Sequence, residues 1–280
     1  MLLSSMTYEQ IYREISHDFR DVVDYYERIV KPKVCKRAKK SKFPYPIRKF
    51  DFYTHPKSRN NYIYFSIVKK HSLWDSPECT VFCDYEGKYG KEIITVAIWK
   101  NPISLHDAIV VNVFQAHFFK RYFERFIKQD EAEIDKIAIF LARNAYAIQI
   151  SSDVVSLKER LKDEFGYMDT ALLNLDGLCL GKVSIENRNI IIYKTFLPFD
   201  ELYAEQNEKV LPEYIKMLVD IGCQDYPQCR ETIYAIYNES AKKQRDILLG
   251  DNLMNREERL RAYLNEYSTT CHKLCEYIIL

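Results

Sequence analysis

The chain has 280 residues, 47% of them hydrophobic and 14% aromatic, enough apolar material to bury a sizeable core and to exclude an intrinsically disordered chain. Lys and Arg total 41 against 40 for Asp and Glu, so no global field draws the protein toward nucleic acid or membrane, and any such contact must come from a local patch. Only 7 glycines and 9 prolines leave few permissive turns, which predicts a chain dense in regular elements.

The start, Met1-Leu2-Leu3-Ser4-Ser5-Met6, is too short for the apolar region of a secretion signal. The longest apolar run, Ile137 to Ile150, is broken by Arg143 and Asn144 and is too short for a membrane span. A soluble cytoplasmic protein is expected, with no membrane partner. The cysteines at 35, 79, 83, 179, 223, 229, 271 and 275 then read as mostly buried reduced thiols.

In chain order, Ile11, Ile15, Phe19, Val22, Val23, Tyr26 and Ile29 recur at three- and four-residue steps, predicting a helix over about Tyr8 to Val30. It runs into Lys31, Lys33, Lys36, Arg37, Lys39, Lys40 and Lys42, then Arg48 and Lys49, with no acid until Asp51 and with Pro32, Pro44 and Pro46 interrupting helix. Two readings are open for this basic run. One is a phosphate-tracking segment in which Lys36, Arg37, Lys39, Lys40 and Lys42 contact nucleic acid while Phe43, Tyr45, Phe50, Phe52 and Tyr53 meet bases. The other is a solvated connector.

β-Branched and aromatic runs at Tyr62 to Val68, Thr80 to Tyr85 and Glu92 to Trp99 predict antiparallel strands, with Gly87 and Gly90 at a hairpin connection. Ile109 to Phe114 is either a further strand or the end of a helix opened near Ser104. Helices are expected over about Ala116 to Phe126, Glu131 to Ala147 and Val155 to Phe165. Ala171 to Lys182 and Asn189 to Phe196 read as a hairpin around Ser184 to Arg188, with Gly177 and Gly181 at bulge or turn positions. Beyond Pro198 the chain reads as helical: one helix interrupted by Pro212 and ended by Gly222, one from about Tyr226 to Leu249, and a last one capped by Asn255 with Glu258. The predicted class is α+β, a central antiparallel sheet with an N-terminal helix and a helical C-terminal third. The expected division is 1-50 as helix plus basic connector, 51-197 as the central α+β domain and 198-280 as a helical region packed on it.

His117, Arg121 and Arg125 lie four residues apart on one side of the predicted helix, and Phe118, Phe119, Tyr122, Phe123 and Phe126 make the opposite stripe. Metal-free RNA cleavage needs proton transfer at the 2′-hydroxyl and at the leaving oxygen, with cations on the phosphorane. His117 suits the proton transfer, and the planar forks of Arg121 and Arg125 suit phosphate. The same stripe also reads as the solvated face of an ordinary amphipathic helix.

Ala116 to Arg125, followed by Asp176-Gly177-Leu178-Cys179-Leu180-Gly181 and Tyr193-Lys194-Thr195-Phe196, resembles small bacterial ribonuclease toxins of the barnase/RelE-like group, over about residues 109 to 200. The resemblance implies a helix carrying the histidine, a sheet returning residues to the same cleft, and Thr195 as a late-strand site residue. The expected protein is then of bacterial or phage type and handles RNA or DNA as a metal-independent ribonuclease that needs no cofactor. The competing expectation is a non-catalytic interaction module whose tyrosine-rich helices after Pro198 bind a protein partner. Cys271-His272-x-x-Cys275 and Cys79-x-x-x-Cys83 lack the paired spacing of a zinc knuckle, and Asp169, Asp176 and Glu186 are acids that any surface hairpin offers, so no metal site is expected.

Overall fold

The computed structural model describes residues 1–42, 44–87, 90–99, 108–125, 133–144, 147–150, 167–184, 187, 189–249 and 255–277. Helix α1 (Tyr8–Tyr25) opens with a capping box in which the Thr7 hydroxyl accepts from the Gln10 backbone and the Gln10 side chain accepts from the Thr7 N–H. A π-helical turn (Tyr26–Val30) joins it to α2 (Lys31–Lys40). The strands are β1 (Ile47–Thr54), β2 (Asn61–Val68), β3 (Glu78–Gly87), β4 (Gly90–Trp99) and β5 (Ala108–Phe114), followed by α3 (Ala116–Arg125) and α4 (Glu133–Arg143). Then come β6 (Ala147–Ile150), β7 (Tyr167–Asn174), β8 (Gly177–Ser184), β9 (Ile190–Pro198), α5 (Ala204–Asp225), α6 (Arg230–Leu249) and α7 (Arg256–Tyr277). The class is α+β, with helices at both ends of the chain.

The strands are hydrogen-bonded in the order β1-β2-β3-β4-β5-β9-β8-β7-β6. From β1 to β5 each strand pairs antiparallel with the next, whereas β5 and β9 run parallel, so the sheet is mixed. The chain divides into two compact units, one built mainly on Met1–Ala142 and Leu180–Phe196, the other on Thr170–Cys179 and Leu197–Leu280.

In the first unit α1 and α2 pack on one face of the sheet. Ile11, Ile15, Val22, Val30, Val34 and Ala38 are buried against Tyr62, Tyr64, Ile94, Val111, Val113, Ile190 and Ile192. The π turn explains a departure from the expected stripe: Val23 and Ile29 are exposed, and Val30 takes the inward position. Inward residues spaced by four drift about 40° per step around an α-helix. The wider turn absorbs that drift and hands the stripe on to Val34 and Ala38. The basic run from Lys31 is consequently helix, not connector, and Pro32 sits in the first turn of α2, where its missing N–H costs little.

Ring packing organises another part of this unit. Phe114 stacks on Tyr193 with centroids 4.8 Å apart, and Phe118, Tyr122, Phe140 and Phe196 close around them edge to face. The predicted apolar stripe of α3 is thus buried through Phe118, Phe119 and Tyr122. Ile109 to Phe114 belong to β5, which settles the strand-or-helix alternative. The expected helix at Val155 to Phe165, together with Phe43, Phe126, Glu186 and Gly250, lies outside the described residues.

Other boundaries differ for local reasons. Helix α4 stops at Arg143 because Arg143 and Asn144 are taken by Asp176: the guanidinium donates to both carboxylate oxygens, and Asn144 Nδ2 donates at 2.9 Å. Ala171 to Lys182 is two strands, with a turn at Leu175 and Asp176 between β7 and β8. In the second unit α5 continues through Pro212, whose ring leaves the carbonyl of the exposed Glu208 to water, and through Gly222, whose carbonyl accepts from Tyr226 N–H at 2.9 Å. Asn255 and Glu258 cap α7 reciprocally at 2.9 and 3.1 Å. Among the described residues no helix is long and apolar enough to cross a membrane.

Gly181, inside β8, marks the closest approach of two backbones: a Cβ there would lie 2.1 Å from the Ile192 carbonyl oxygen of β9. Gly181→Ala should destabilise the protein by about 1–3 kcal/mol or more, as overpacking against backbone does. Thermal denaturation of the two proteins measures this, and an unchanged midpoint would show that β8 and β9 are not paired at this point.

Candidate nucleic-acid interface

Helix α2 carries two opposed stripes. Val34 and Ala38 face the sheet, while Lys33, Lys36, Arg37 and Lys40, at helical steps of three, one and three, fall on the other side. With Ser41 and Lys42 these four cations line a cavity of ≈ 640 Å³. Tyr45 donates its hydroxyl to the Ala38 carbonyl at 2.9 Å, which ties the chain leaving α2 back onto the helix end.

The charge balance in this cleft is one-sided. Lys31 is neutralised by Glu27 at 2.9 Å one turn earlier, and Arg28 pairs with Asp24. Among the described residues, Lys33, Lys36, Arg37, Lys40 and Lys42 have no carboxylate within ion-pair distance. The partial negative charge at the C-terminal end of α2 favours cations there by about 0.3–1 kcal/mol each at the surface, but so many cations with no counter-charge still repel one another. An anion that bridges several of them relieves this repulsion.

Of the five basic residues expected to contact nucleic acid, Lys36, Arg37, Lys40 and Lys42 come together in the cleft. Lys39 does not: its ammonium lies 4.7 Å from the Trp74 ring centroid, on the loop between β2 and β3. A second groove, lined by Ile15, Phe19, Val22, Tyr26, Cys79 and Val81, is apolar and only ≈ 100 Å³.

The α3 residues are placed differently. His117 is exposed, and its Nε2 accepts from Arg121 Nε at 3.0 Å, so the imidazole and one guanidinium do meet. Arg125 donates from Nη1 to the Phe196 carbonyl at 3.0 Å, next along β9 from the half-buried Thr195. The helix therefore reaches the strand that the family resemblance singled out, through backbone and not through the Thr195 side chain.

The acids weighed for a metal are otherwise engaged: Asp176 by Arg143 and Asn144, and Asp169 by the buried Lys182 at 3.3 Å. Burial pushes the Cys79 and Cys271 thiols up to about 12, so both are protonated and poor ligands near neutral pH. Among the described residues no group of three or more His, Cys, Asp and Glu side chains is placed to hold a metal ion.

A buried polar cluster escaped the sequence reading. Asp18 sits on the apolar stripe of α1, 3% exposed, where its Oδ2 accepts from the hydroxyls of Ser58 and Tyr62 and from Asn60 Nδ2. His55, also 3% exposed, lies between Asp18 at 3.2 Å and Asp21 at 3.0 Å. Its Nδ1 is 3.0 Å from Ser58 Oγ. The cluster pins the β1–β2 loop to α1. Its signal was available: a carboxylate in step with Ile11, Ile15 and Val22 is an acid on the inward face, and it needs donors from elsewhere in the fold.

Asp18→Ala should cost about 3 kcal/mol or more in urea denaturation, because His55, Ser58, Asn60 and Tyr62 would keep their burial and lose their acceptor; a loss below about 0.5 kcal/mol, the usual scale of a surface change, would contradict the assignment. The hydrogen bond to His55 holds the Asp21 carboxyl below its ordinary value. A depressed folded value stabilises the protein above the unfolded value and ceases to do so as pH falls through the folded one. The acid limb of the stability profile should therefore flatten in Asp21→Asn, and an identical limb would remove Asp21 from the cluster. Comparisons of the whole chain with protein-family models, curated proteins and solved structures find no match.

Proposed function

We propose that the protein handles nucleic acid, with the outward row of α2 as its phosphate-binding surface. The observation that carries this reading is the convergence of Lys33, Lys36, Arg37, Lys40 and Lys42 on one open cavity without a carboxylate partner among the described residues. Lysine and arginine rows of this kind neutralise successive backbone phosphates and release condensed counterions, which gives affinity without base specificity. A chain with a net charge of only +1 attracts a polyanion solely through such a patch.

A second activity is proposed for α3, on the strength of the His117–Arg121 contact. An imidazole accessible to solvent and held against a guanidinium offers proton transfer beside a phosphate-binding fork. The Arg125 contact to Phe196 anchors the helix to β9 near Thr195 and fixes that pair relative to the strand. On this reading the protein is a metal-independent ribonuclease that engages its substrate through α2 and acts on it at α3. The other class, a non-catalytic module binding a protein through α5 to α7, predicts neither salt-dependent binding nor cleavage.

Replacing Lys36, Arg37, Lys40 and Lys42 together with Ala should weaken oligonucleotide binding and reduce the slope of log affinity against log salt by up to about 3, at roughly 0.7 for each phosphate that is no longer neutralised. Fluorescence anisotropy across a salt series measures both. Lys39→Ala, whose side chain is committed to Trp74, should leave the slope nearly unchanged. Equal affinity and slope in the fourfold variant would assign these charges to solubility. For α3, labelled RNA incubated with chelator should be cut by the wild type and about 100-fold or more slower by His117→Ala; an unaltered cleavage rate would exclude His117 from proton transfer.

A further inference from the structure

The cleft leads directly to β1, and the sequence of that strand alternates in a telling way. Arg48, Phe50 and Phe52 project from one face, while Lys49, Asp51 and Tyr53 project from the other, where Lys49 pairs with Asp51 and Tyr53 stacks on Tyr25 of α1 at 4.2 Å. The second face is thus occupied by the helix layer. The first carries Phe52 with 65% of its surface exposed, a half-buried Phe50 resting on Phe65 of β2 at 4.8 Å, and an exposed Arg48 that has no ion-pair partner among the described residues.

β1 is the outermost strand in the sheet order, so this face has a neighbour strand on one side only. Its register is firm: Phe50 lies opposite Phe65, and Phe52 opposite the buried Ile63. A phenyl ring on a rigid, paired strand is held in place at little cost in chain entropy, and its face is open. Exposing it gains the fold nothing, since Ile63 beneath is already covered.

We infer that the Phe52 ring is a base-stacking platform, and that the ligand of the α2 cleft is single-stranded nucleic acid whose bases turn onto β1. This rests on the phosphate-binding reading of the cleft and adds the strandedness of its ligand. In a duplex the bases are stacked on one another and offer no free face to a phenyl ring. In a single strand each base has an open π-face, and stacking on aromatic side chains beside a basic groove is how such strands are held without sequence reading. The spacing suits a short strand: Ile47 follows the end of α2 closely, and Phe52 lies about 17 Å further along β1, at ~3.3 Å per residue. Arg48 stands between cleft and ring, on the same face as the ring, where it serves a phosphate or the edge of a stacked base.

The test compares homopolymeric uridine RNA and thymidine DNA oligonucleotides of about 12 nucleotides, a length within known single-strand site sizes, with a duplex as a third probe. Wild-type protein, Phe52→Ala, Phe52→Leu, Phe52→Tyr and the fourfold α2 variant are measured by anisotropy at fixed salt, with thermal midpoints checked. Phe52→Ala and Phe52→Leu should weaken single-strand binding roughly ten- to hundredfold at unchanged thermal midpoint, Phe52→Tyr should restore it, and duplex binding should not respond. Leu keeps apolar bulk without the π-face, so its failure to rescue separates stacking from simple burial. The tighter of the RNA and DNA probes identifies the source of the strand. If single-strand binding in Phe52→Ala equals that of the wild type while the fourfold variant is weakened, the platform is wrong and the cleft stands. If the fourfold variant also binds like the wild type, the cleft itself is wrong. A loss shared equally by duplex and single strand would likewise overturn the platform.

Discussion

The structure of the first unit depends on one constraint: the helical rod formed by α1, the π turn and α2 must keep a single apolar stripe against the tyrosine-rich face of the sheet over its whole length. Ile11, Ile15 and Val22 satisfy it in α1, and Val30, Val34 and Ala38 continue it after the wider turn. Once Val34 and Ala38 are fixed inward, helical geometry leaves Lys33, Lys36, Arg37 and Lys40 no direction but outward. The basic cleft is therefore a consequence of how the opposite side of the helix is buried. Tyr64, whose hydroxyl donates to the Val22 carbonyl at 2.8 Å, and the Asp18 cluster lock the same rod to the sheet by polar contacts.

Burial of polar groups in this fold follows a common rule, that each is paired. Glu92, 1% exposed, accepts from the hydroxyls of Tyr8 and Tyr85, and burial raises its carboxyl above the usual range. Tyr8 in turn accepts from Gln115 at 2.9 Å, so the start of α1 is tied to the junction of β5 and α3. In the second unit Ser240 and Thr270 join α6 to α7 at 2.6 Å, and Tyr214 reaches the Leu175 carbonyl at 2.9 Å. Against this background an unpaired row of cations and an exposed phenyl ring on a paired strand stand apart, since neither is explained by the needs of the fold.

Much of the architecture was legible in the sequence where the signal was local. The Gly87 and Gly90 pair marked the β3–β4 hairpin, where Gly90 adopts φ 100°, and Asn255 with Glu258 marked the start of α7. What escaped reading was tertiary in origin. Strand β1 was hidden inside a basic run, β6 behind the end of α4, and the re-phasing of the stripe at Val30 needs the sheet as a template. Pro212 reads as a break only if the carbonyl one turn earlier has no water to turn to. The cluster of Lys36, Arg37, Lys40 and Lys42 was visible as charge, but the diversion of Lys39 to Trp74 was not, because the loop carrying Trp74 is more than thirty residues distant in sequence.

The most direct measurement of the central claim is lysine acylation footprinting of the intact protein, with mass-spectrometric readout, in the presence and absence of a single-stranded oligonucleotide. Lys33, Lys36, Lys40 and Lys42 should be protected on binding, whereas Lys216 and Lys243, which are paired with Glu213 and Glu239 on α5 and α6, should label equally in both states. Protection spread evenly over all lysines, or confined to residues outside α2, would contradict the assignment of the cleft.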